Sequence, residues 1–265
     1  MRRAVQVTSK DHILKVMSLT RFHFVAGLPK SGARYFASLL AQNSRFCVSS
    51  DSPAHSVFCH LTEAWAQQDG PLSFVDASTR TALLRASMDA VHHGRAMDSV
   101  VFDNNPEWLP HMASLAELFP LSRFILLVRD PARIAAEMAQ ETGGAQTPAA
   151  LMSDHGVIGK PVGCIQAALT SKAAERLLLI DYDRLLSDPE RVMNAMYSFL
   201  GDVVFTHDFR ALPPAAPRAQ RMPMGLARRV AAIGDGTRRR IQKNDLPIWR
   251  RSSGSAATML LPEAG

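Results

Sequence analysis

A short loop that follows an apolar strand pattern is the stretch of this sequence best suited to chemistry. The strand pattern ends at Gly27, Lys30 and Ser31 lie in the loop, and after Gly32 apolar residues recur at helical spacing from Phe36. A strand, a loop of this size and a helix surround an anion with backbone N–H groups and the positive end of the helix dipole. The pattern predicts a site for a phosphate-like group, with an ordinary glycine-containing turn as the alternative.

The residues that close the loop argue against a metal-dependent nucleotide hydrolase or kinase. Gly27 and Gly32 match the two glycines of the GxxxxGK[ST] motif, but Ala33 and Arg34 stand where Lys and Ser or Thr are required. The hydroxyl that would bind Mg²⁺ is therefore missing, and the lysine lies inside the loop. We expect a loop that binds a phosphate-like anion without metal–ATP chemistry.

The elements that must position this loop alternate between strand and helix, which is typical of βαβ units and a parallel sheet. Further helices are expected where apolar residues recur at helical spacing, and the SDPE sequence at Ser187 to Glu190 predicts a capping box for a helix that stops at Gly201. Strands are predicted at 22–26, 45–49, 99–103, 123–128 and 176–180, helices at 54–66, 73–93, 106–118 and 162–174, and a loop or lid at 141–160.

Length and composition exclude several classes of protein. The chain has 265 residues, of which 47% are apolar, so a substantial core is possible. No apolar run approaches the roughly 20 residues that span a bilayer, and the N-terminal residues contain no continuous apolar signal segment. These features predict a soluble, cytoplasmic protein without a membrane span. Cys47, Cys59 and Cys164 are widely spaced and form no CxxC pair, which favours neither a disulfide framework nor a zinc site.

Positive charge is concentrated near the C-terminus. The net charge of the chain is +6, while residues 218–251 alone contain ten Arg or Lys and two Asp. Such a segment is typical either of contact with an anionic partner or of a solvated tail. No nucleic-acid binding is expected, because aromatic residues do not alternate with these charges. We predict an α/β domain at 1–210, with its core at 22–210, and a Pro/Ala-rich, basic extension at 211–265.

Three segments, in this order, resemble the sulfotransferases that use 3′-phosphoadenosine-5′-phosphosulfate (PAPS). They are GLPKSG after the first strand, FILLVRDP in mid-chain and LLLIDYDRLLSDPERVMNAMYSFLG, and FDNNPEW between them fits bacterial members. The resemblance covers residues 22–209. It implies an α/β fold with a central parallel sheet and flanking helices, the P-loop-like sulfotransferase fold that is related to nucleotide kinases. It also implies PAPS as donor and 3′-phosphoadenosine-5′-phosphate (PAP) as product, with no metal required.

The resemblance assigns the donor's 5′-phosphosulfate to the loop after the first strand. Negative charge builds on the bridging oxygen as the sulfonyl group leaves, and Lys30 is the cation that would stabilise it. The loop residues that this comparison assigns to donor binding are Leu28, Pro29, Lys30, Ser31, Gly32, Ala33 and Arg34.

A second implied site binds the 3′-phosphate and the adenine. Arg129 matches the family's phosphate-binding arginine, whereas Glu137 stands where the family has a serine. A carboxylate there repels phosphate unless it turns away or pairs with a cation. Arg133, one helical turn before it, either pairs with Glu137 or faces the phosphate itself. Tyr182 matches the tyrosine near the adenine, with a core aromatic as the equal alternative. The family's C-terminal Arg-Lys-Gly element is imitated only weakly, by Arg250, Arg251 and Gly254.

The catalytic base is the least defined part of the implied site. Asp103, at the end of the strand SVVFD, is the first candidate, with Asn104 as a group that orients it. His55 and Asp51 are alternatives on the acceptor side. Pro106 stands where related bacterial sequences have an arginine, and so it removes another polar group.

Two functions from different classes follow. The first is an enzyme that transfers a sulfonyl group from PAPS to a hydroxyl or amine of a small-molecule or carbohydrate acceptor. The second is a nucleotide-binding or regulatory protein with impaired catalysis, which Ala33, Pro106 and Glu137 favour because each replaces an expected polar or cationic group. A metal-dependent kinase or NTPase is disfavoured.

Overall fold

The structure is a computed structural model, and it describes residues 21–50, 52–67, 70, 73–93 and 99–210. Its centre is a parallel sheet with the strand order β2-β3-β1-β4-β5. The strands are β1 (Arg21–Gly27), β2 (Phe46–Ser50), β3 (Val100–Asn104), β4 (Phe124–Val128) and β5 (Leu177–Asp181). The predicted α/β class with a central parallel sheet is therefore confirmed, and each predicted strand lies within about a residue of its observed position.

Helices cover both faces of the sheet, and they pack on alternate residues of each strand. One face contacts α1 (Ala33–Leu40), α8 (Tyr182–Ser187) and α9 (Pro189–Leu200). The other contacts α2 (Ala54–Ala66), α3 (Ala77–Val91), α4 (Met112–Leu118), α5 (Pro131–Glu141), α6 (Pro148–Leu151) and α7 (Gly159–Leu169). Because both faces are buried, the strands read as continuous apolar runs rather than as alternating ones.

Three local predictions need correction. The segment 106–118 is not one helix: a 3₁₀ segment, Pro106–His111, precedes α4, because Pro110 lies inside it and removes a backbone donor. The helix α9 is capped by Asp188, whose side chain accepts from the Arg191 N–H, and not by Ser187. The segment 141–160 is not a free lid, since Leu151 and Ile158 are buried in the core.

The connections around β1 and β4 create a crevice at the carboxyl edge of the sheet. These two strands are neighbours, yet α1 leaves β1 toward one face and α5 leaves β4 toward the other. In open α/β sheets ligands bind at such a point, outside the carboxyl ends of the strands. The loop with Lys30 and the residue Arg129 follow these two strands directly.

No helix among the described residues is long and apolar enough to cross a membrane. The three cysteines are partly buried free thiols. The basic segment at 218–251 and the predicted extension at 211–265 lie outside the described residues, as do Asp51, Arg250, Arg251 and Gly254.

Candidate active site

The loop after β1 is held tightly against β4. Gly27 has a φ of 152°, and a Cβ there would lie 2.1 Å from the Leu127 carbonyl oxygen, so a side chain is excluded. The next residue, Leu28, donates its N–H to the same oxygen at 2.9 Å. Within the loop the buried Ser31 hydroxyl donates to the Leu28 carbonyl at 2.6 Å. The serine therefore closes the turn, and the loop enters α1 through Gly32.

Lys30 is partly exposed in this loop. It has a φ of 58°, the left-handed conformation that non-glycine residues seldom adopt, so the loop is fixed in an uncommon turn. Its ammonium pairs with the carboxylate of Glu141, the last residue of α5. The Glu141 side chain is 63% exposed, and such a pair contributes about 0–1 kcal/mol. An anion with more charge can displace this carboxylate.

Arg129 and Glu137 form a bidentate pair beside the loop. The two guanidinium N–H groups donate to the two carboxylate oxygens at 2.9 and 2.6 Å. Hydrogen bonding to Glu137 raises the pKa of Arg129, and the same bonds lower the pKa of Glu137. Glu137 thus pairs with the predicted phosphate-binding arginine itself. Its pairing with Arg133, considered above, does not occur, because Arg133 instead donates to Asp183 at 3.0 Å on the surface.

Tyr182 joins the arginine to the loop. The Arg129 guanidinium carbon lies 4.6 Å from the centre of the Tyr182 ring. The same ring lies against Gly32, where an added Cβ would be 2.8 Å from it. Arg129 also has a buried Nε without a hydrogen-bond partner among the described residues, and a nine-tenths buried side chain. These contacts bring Lys30, Gly32, Arg129 and Tyr182 together from the ends of β1, β4 and β5.

The remaining loop residues predicted for donor binding line the entry to α1. Pro29 and Ala33 are half-buried and Arg34 is exposed. Ala33 is the first residue of α1, so its N–H is among those with no partner within the helix. The backbone here suits an anion even though the family's hydroxyl is absent.

Asp103 lies in a buried polar network at the end of β3. It has no exposed surface, and it accepts from Ser52 Oγ at 2.5 Å and from Trp108 Nε1 at 2.9 Å. His92 Nε2 lies 3.0 Å from the same oxygen that Ser52 contacts. Reach to an acceptor is the first requirement of a base, and only Ser52 of these partners is more than slightly exposed.

Asn104 does not orient Asp103. It is the next residue in the strand and so points to the opposite face, where it donates to Ser50 Oγ at 3.3 Å. Pro106 is exposed at the first position of the 3₁₀ segment, behind the N-cap residue Asn105. A proline there fits the backbone.

His55 lies on α2 in a second cluster, together with Cys59 and His111. The Cys59 sulfur is 3.4 Å from His55 Nε2 and 3.7 Å from His111 Nε2. Burial, followed by the nearby Glu63 and Glu107, raises the pKa of the Cys59 thiol. Burial and the proximity of His55 lower the pKa of His111.

Sequence reasoning missed several of these groups. The i, i+4 spacing of His55 and Cys59 was a visible signal, because these positions share a helix face. His111, His92 and Trp108 join their clusters only through the fold of the sheet. Glu141 reaches Lys30 from a residue 111 positions later, which no local pattern indicates.

The parallel sheet, its glycine loop and the crevice between β1 and β4 define a P-loop-like α/β protein. A model described as the sulfotransferase family matches residues 23–204, which is more than half of the chain. The chain therefore belongs to the sulfotransferase family. The predicted family assignment is confirmed.

One curated relative is protein-tyrosine sulfotransferase 2 from Gallus gallus. The two sequences are 24% identical over an alignment of 210 residues, and this alignment covers 70% of this chain and 53% of the relative. The chain thus spans about half the length of the curated relative that it matches.

A solved sulfotransferase structure shares the fold. The sulfotransferase from Alicyclobacillus acidocaldarius superimposes with a TM-score of 0.53 at 13% identity, over 89% of this chain and 95% of that one. Mouse sulfotransferase SULT7A1, solved in complex with PAP, superimposes with a TM-score of 0.42 at 17% identity, over 75% of this chain and 66% of that one. At 13% identity, the likeness to the Alicyclobacillus acidocaldarius structure shows the fold alone.

Proposed function

We propose that this protein transfers a sulfonyl group from PAPS to a hydroxyl or amine of an acceptor. The observation that carries the proposal is the grouping of Lys30, Arg129 and Tyr182 around Gly32, in a chain that belongs to the sulfotransferase family. Two cations and an aromatic ring at one edge fit a donor with two phosphate-like ends and a purine. Both cations pair with half-exposed or exposed carboxylates, which a more highly charged ligand can replace.

In this proposal the donor's 5′-phosphosulfate lies on the loop and its 3′-phosphate lies at Arg129. The first backbone N–H groups of α1 face the anion, and the guanidinium can contact phosphate bidentately. The ring of Tyr182 already stacks with Arg129, which limits where the guanidinium can point. The orphan Nε of Arg129 provides one further donor.

The transfer itself moves the sulfonyl group in line between two oxygens, or from oxygen to nitrogen. The sulfur–oxygen bond to the 5′-phosphate breaks while a bond from sulfur to the acceptor atom forms. The electron pair of the broken bond stays on the phosphate oxygen, where Lys30 stabilises the charge that develops. The acceptor proton goes to a base, and PAP leaves.

We propose that Asp103 receives this proton through Ser52 rather than by direct contact. Asp103 is fully buried, whereas Ser52 is partly exposed and its hydroxyl donates to the carboxylate at 2.5 Å. A proton that Ser52 takes from the acceptor replaces the one that it passes to Asp103. His55 is the alternative base, and its Nε2 lies beside the Cys59 sulfur.

The acceptor that we propose is a small molecule or a carbohydrate. A tyrosine hydroxyl of a protein is the second candidate, favoured by the 24% identity with protein-tyrosine sulfotransferase 2. Both acceptors present a hydroxyl. A panel of phenols, sugars and tyrosine peptides, assayed with labelled PAPS, separates them by which class gains the label.

Calorimetric binding of PAP to the whole chain tests the donor site. We expect the wild type to bind PAP and Arg129→Ala to bind at least about tenfold more weakly, because a hydrogen bond to a charged group contributes about 1.5–3 kcal/mol. Arg133→Ala is the matched control, since this side chain is 58% exposed and pairs with Asp183. A wild type that does not bind PAP contradicts the proposal.

A nucleotide-binding protein without efficient catalysis is the second function that an observation favours. The observation is the bidentate Arg129–Glu137 pair, in which a carboxylate takes the place of the phosphate. PAP binding without transfer to any acceptor in the panel would support this function over the first.

A further inference from the structure

Three side chains that can bind a metal ion meet away from the donor loop. His55 and Cys59 lie one turn apart on α2, and His111 ends the 3₁₀ segment that follows β3. Their possible ligand atoms all lie within 4.8 Å of one another. We propose that His55, Cys59 and His111 bind a zinc ion, with the fourth position open to solvent.

The distances fit the edges of a zinc tetrahedron. With zinc bonds of about 2.0 Å to nitrogen and about 2.3 Å to sulfur, tetrahedral geometry separates a nitrogen from a sulfur by about 3.5 Å. The two nitrogen–sulfur separations here are 3.4 and 3.7 Å. Cys59 therefore already stands at the correct distance from both imidazoles. The two imidazole nitrogens lie within 4.8 Å of each other, against about 3.3 Å for a tetrahedral edge, so an approach of at most about 1.5 Å completes the geometry.

A hydrogen bond alone explains this arrangement less well than a metal site does. A thiol can donate its one proton to only one imidazole, and its sulfur accepts an N–H from the other only weakly. Two imidazole nitrogens nevertheless point at the same sulfur, from two separate elements of the fold. A nucleophilic role for Cys59 is disfavoured as well, because burial raises the pKa of its thiol, whereas reactive cysteines have lowered values.

Aromatic neighbours hold the imidazoles in place. The His55 ring meets Trp108 edge to face with 5.0 Å between centres, and the His111 ring meets Phe58 in the same manner at 5.2 Å. Trp108 is fully buried and Phe58 nearly so. Rings whose orientations are already limited by such contacts lose less freedom when the ion binds.

The surrounding charges and exposure also suit a cation. Glu63 and Glu107 interact electrostatically with Cys59, and Glu107 does so with His111 as well, whereas Lys160 acts in the opposite sense on His111. The three ligands are partly exposed, so an ion can enter from solvent. Two imidazoles and one thiolate form a ligand set that binds zinc in preference to harder cations. On binding, the thiol proton leaves to solvent and the thiolate bonds to the metal.

A metal here would join α2 to the segment that carries Trp108. Trp108 donates to Asp103, so the ion would stabilise the acceptor side of the cleft without contacting the donor loop. The proposal stands independently of the donor, since none of the three ligands contacts Lys30, Arg129 or Tyr182 in the described contacts.

Cobalt titration of the purified chain, after dialysis against chelator, tests the site. Cobalt replaces zinc in tetrahedral sites, and a cobalt–thiolate bond gives a charge-transfer band that nitrogen or oxygen ligands do not give. We expect one equivalent of cobalt to produce this band in the wild type, and zinc to abolish it. The band should be lost in Cys59→Ser and kept in Cys164→Ser, a partly buried thiol outside the cluster.

Thermal unfolding with and without zinc provides a second measurement. A zinc ion that binds only the folded state raises the unfolding temperature. We expect this rise in the wild type and in His60→Ala, an exposed histidine on the same helix, but not in His55→Ala or His111→Ala. Absence of the cobalt band in the wild type, or a band that Cys59→Ser retains, would overturn the proposal. Circular dichroism of each variant without metal shows that it is folded.

Discussion

Two regions at the carboxyl edge of the sheet differ in how far their acidic side chains are exposed to solvent. At the ends of β1 and β4, Lys30 and Arg129 pair with Glu141 and Glu137, whose side chains are 63% and 43% exposed. At the end of β3, the carboxyl group of Asp103 is fully buried and contacts Ser52, Trp108 and His92.

This difference indicates which residues bind a ligand and which stabilise the fold. Exposed ion pairs contribute little to folding, so their cations are available to an incoming anion at small cost. A buried carboxylate that loses its partners leaves uncompensated polar groups in the core. Substitutions on the donor side, at Lys30 and Arg129, should therefore alter PAP binding and turnover. Substitutions at Asp103 should first alter the free energy of unfolding.

Replacing Lys30 by alanine should have the largest effect. We expect turnover to fall by about 100- to 1,000-fold, the usual loss when one group that stabilises developing charge is removed. PAP affinity should fall less than about tenfold, because the ammonium acts mainly on the breaking bond. Steady-state kinetics and calorimetry measure the two quantities. Lys172→Ala, an exposed lysine before β5 at the opposite edge of the sheet, is the matched control.

Unchanged turnover in Lys30→Ala would remove the cation from the mechanism. An equal loss of turnover and PAP affinity would instead make Lys30 a binding residue, and the donor side would then lack a group specific to the transition state.

Removing the Asp103 carboxylate should destabilise the fold. Asp103→Ala leaves Trp108, Ser52 and His92 without their shared partner, and breaking such a buried arrangement costs about 3 kcal/mol. Urea unfolding measures this loss. Asp183→Ala removes a carboxylate of the exposed pair with Arg133, and it should cost at most about 1 kcal/mol.

Asp103→Asn separates the structural role from the role of a base. Asparagine keeps an acceptor for the Trp108 N–H but cannot take a proton from Ser52. A stable Asn variant with wild-type turnover would contradict the proposed proton path through Ser52.

The sequence predicted the frame of the molecule well because its signals are local. Gly27 marked the end of β1, and the apolar run before Arg129 marked β4. The pairing of Glu137 with Arg129 had no such signal, since both residues looked suited to other partners. Helical spacing offered Arg133 as one partner for Glu137, but the side chain of Arg133 reaches Asp183 on α8 instead.

The polar clusters were harder to predict for the same reason. His92 and Asp103 are 11 residues apart and meet only because α3 and β3 pack together. Ser52 reaches Asp103 across 51 residues through the parallel pairing of β2 and β3. Sequence alone predicted candidate side chains for the site, but not which of them lie in contact with one another.

Low pH should lower the free energy of unfolding through His23, which lies in the core and not in the candidate site. His23 is buried in β1, and burial, followed by Arg21 and Arg123, lowers its pKa to about 3. The unfolded chain binds a proton near pH 6.5, so the free energy of unfolding should be unaffected above that value and fall between about 6.5 and 3. At pH 5 this histidine alone should cost about 2 kcal/mol relative to pH 8.

Urea unfolding of the wild type and His23→Asn at both pH values measures this contribution. Asparagine can accept the Arg123 N–H that His23 Nδ1 accepts at 3.0 Å, and it does not titrate. His60→Asn, on the surface, should behave as the wild type does. A His23→Asn variant that loses as much stability as the wild type would assign the acid sensitivity to other groups, including the histidines of the acceptor side.

The smallest expected effect concerns Glu137, the carboxylate that pairs with Arg129. Glu137→Ser removes the competing charge and introduces the residue that the family resemblance implies at this position. We expect PAP affinity to rise about three- to tenfold, about 0.7–1.4 kcal/mol, since the carboxylate no longer has to be displaced. Glu137→Gln, which removes the charge but adds no hydroxyl, shows how much of the gain is electrostatic. Weaker PAP binding in both variants would mean that Glu137 holds Arg129 in its binding position. The exposed pairs of the donor side would then be structural, and the contrast with Asp103 would disappear.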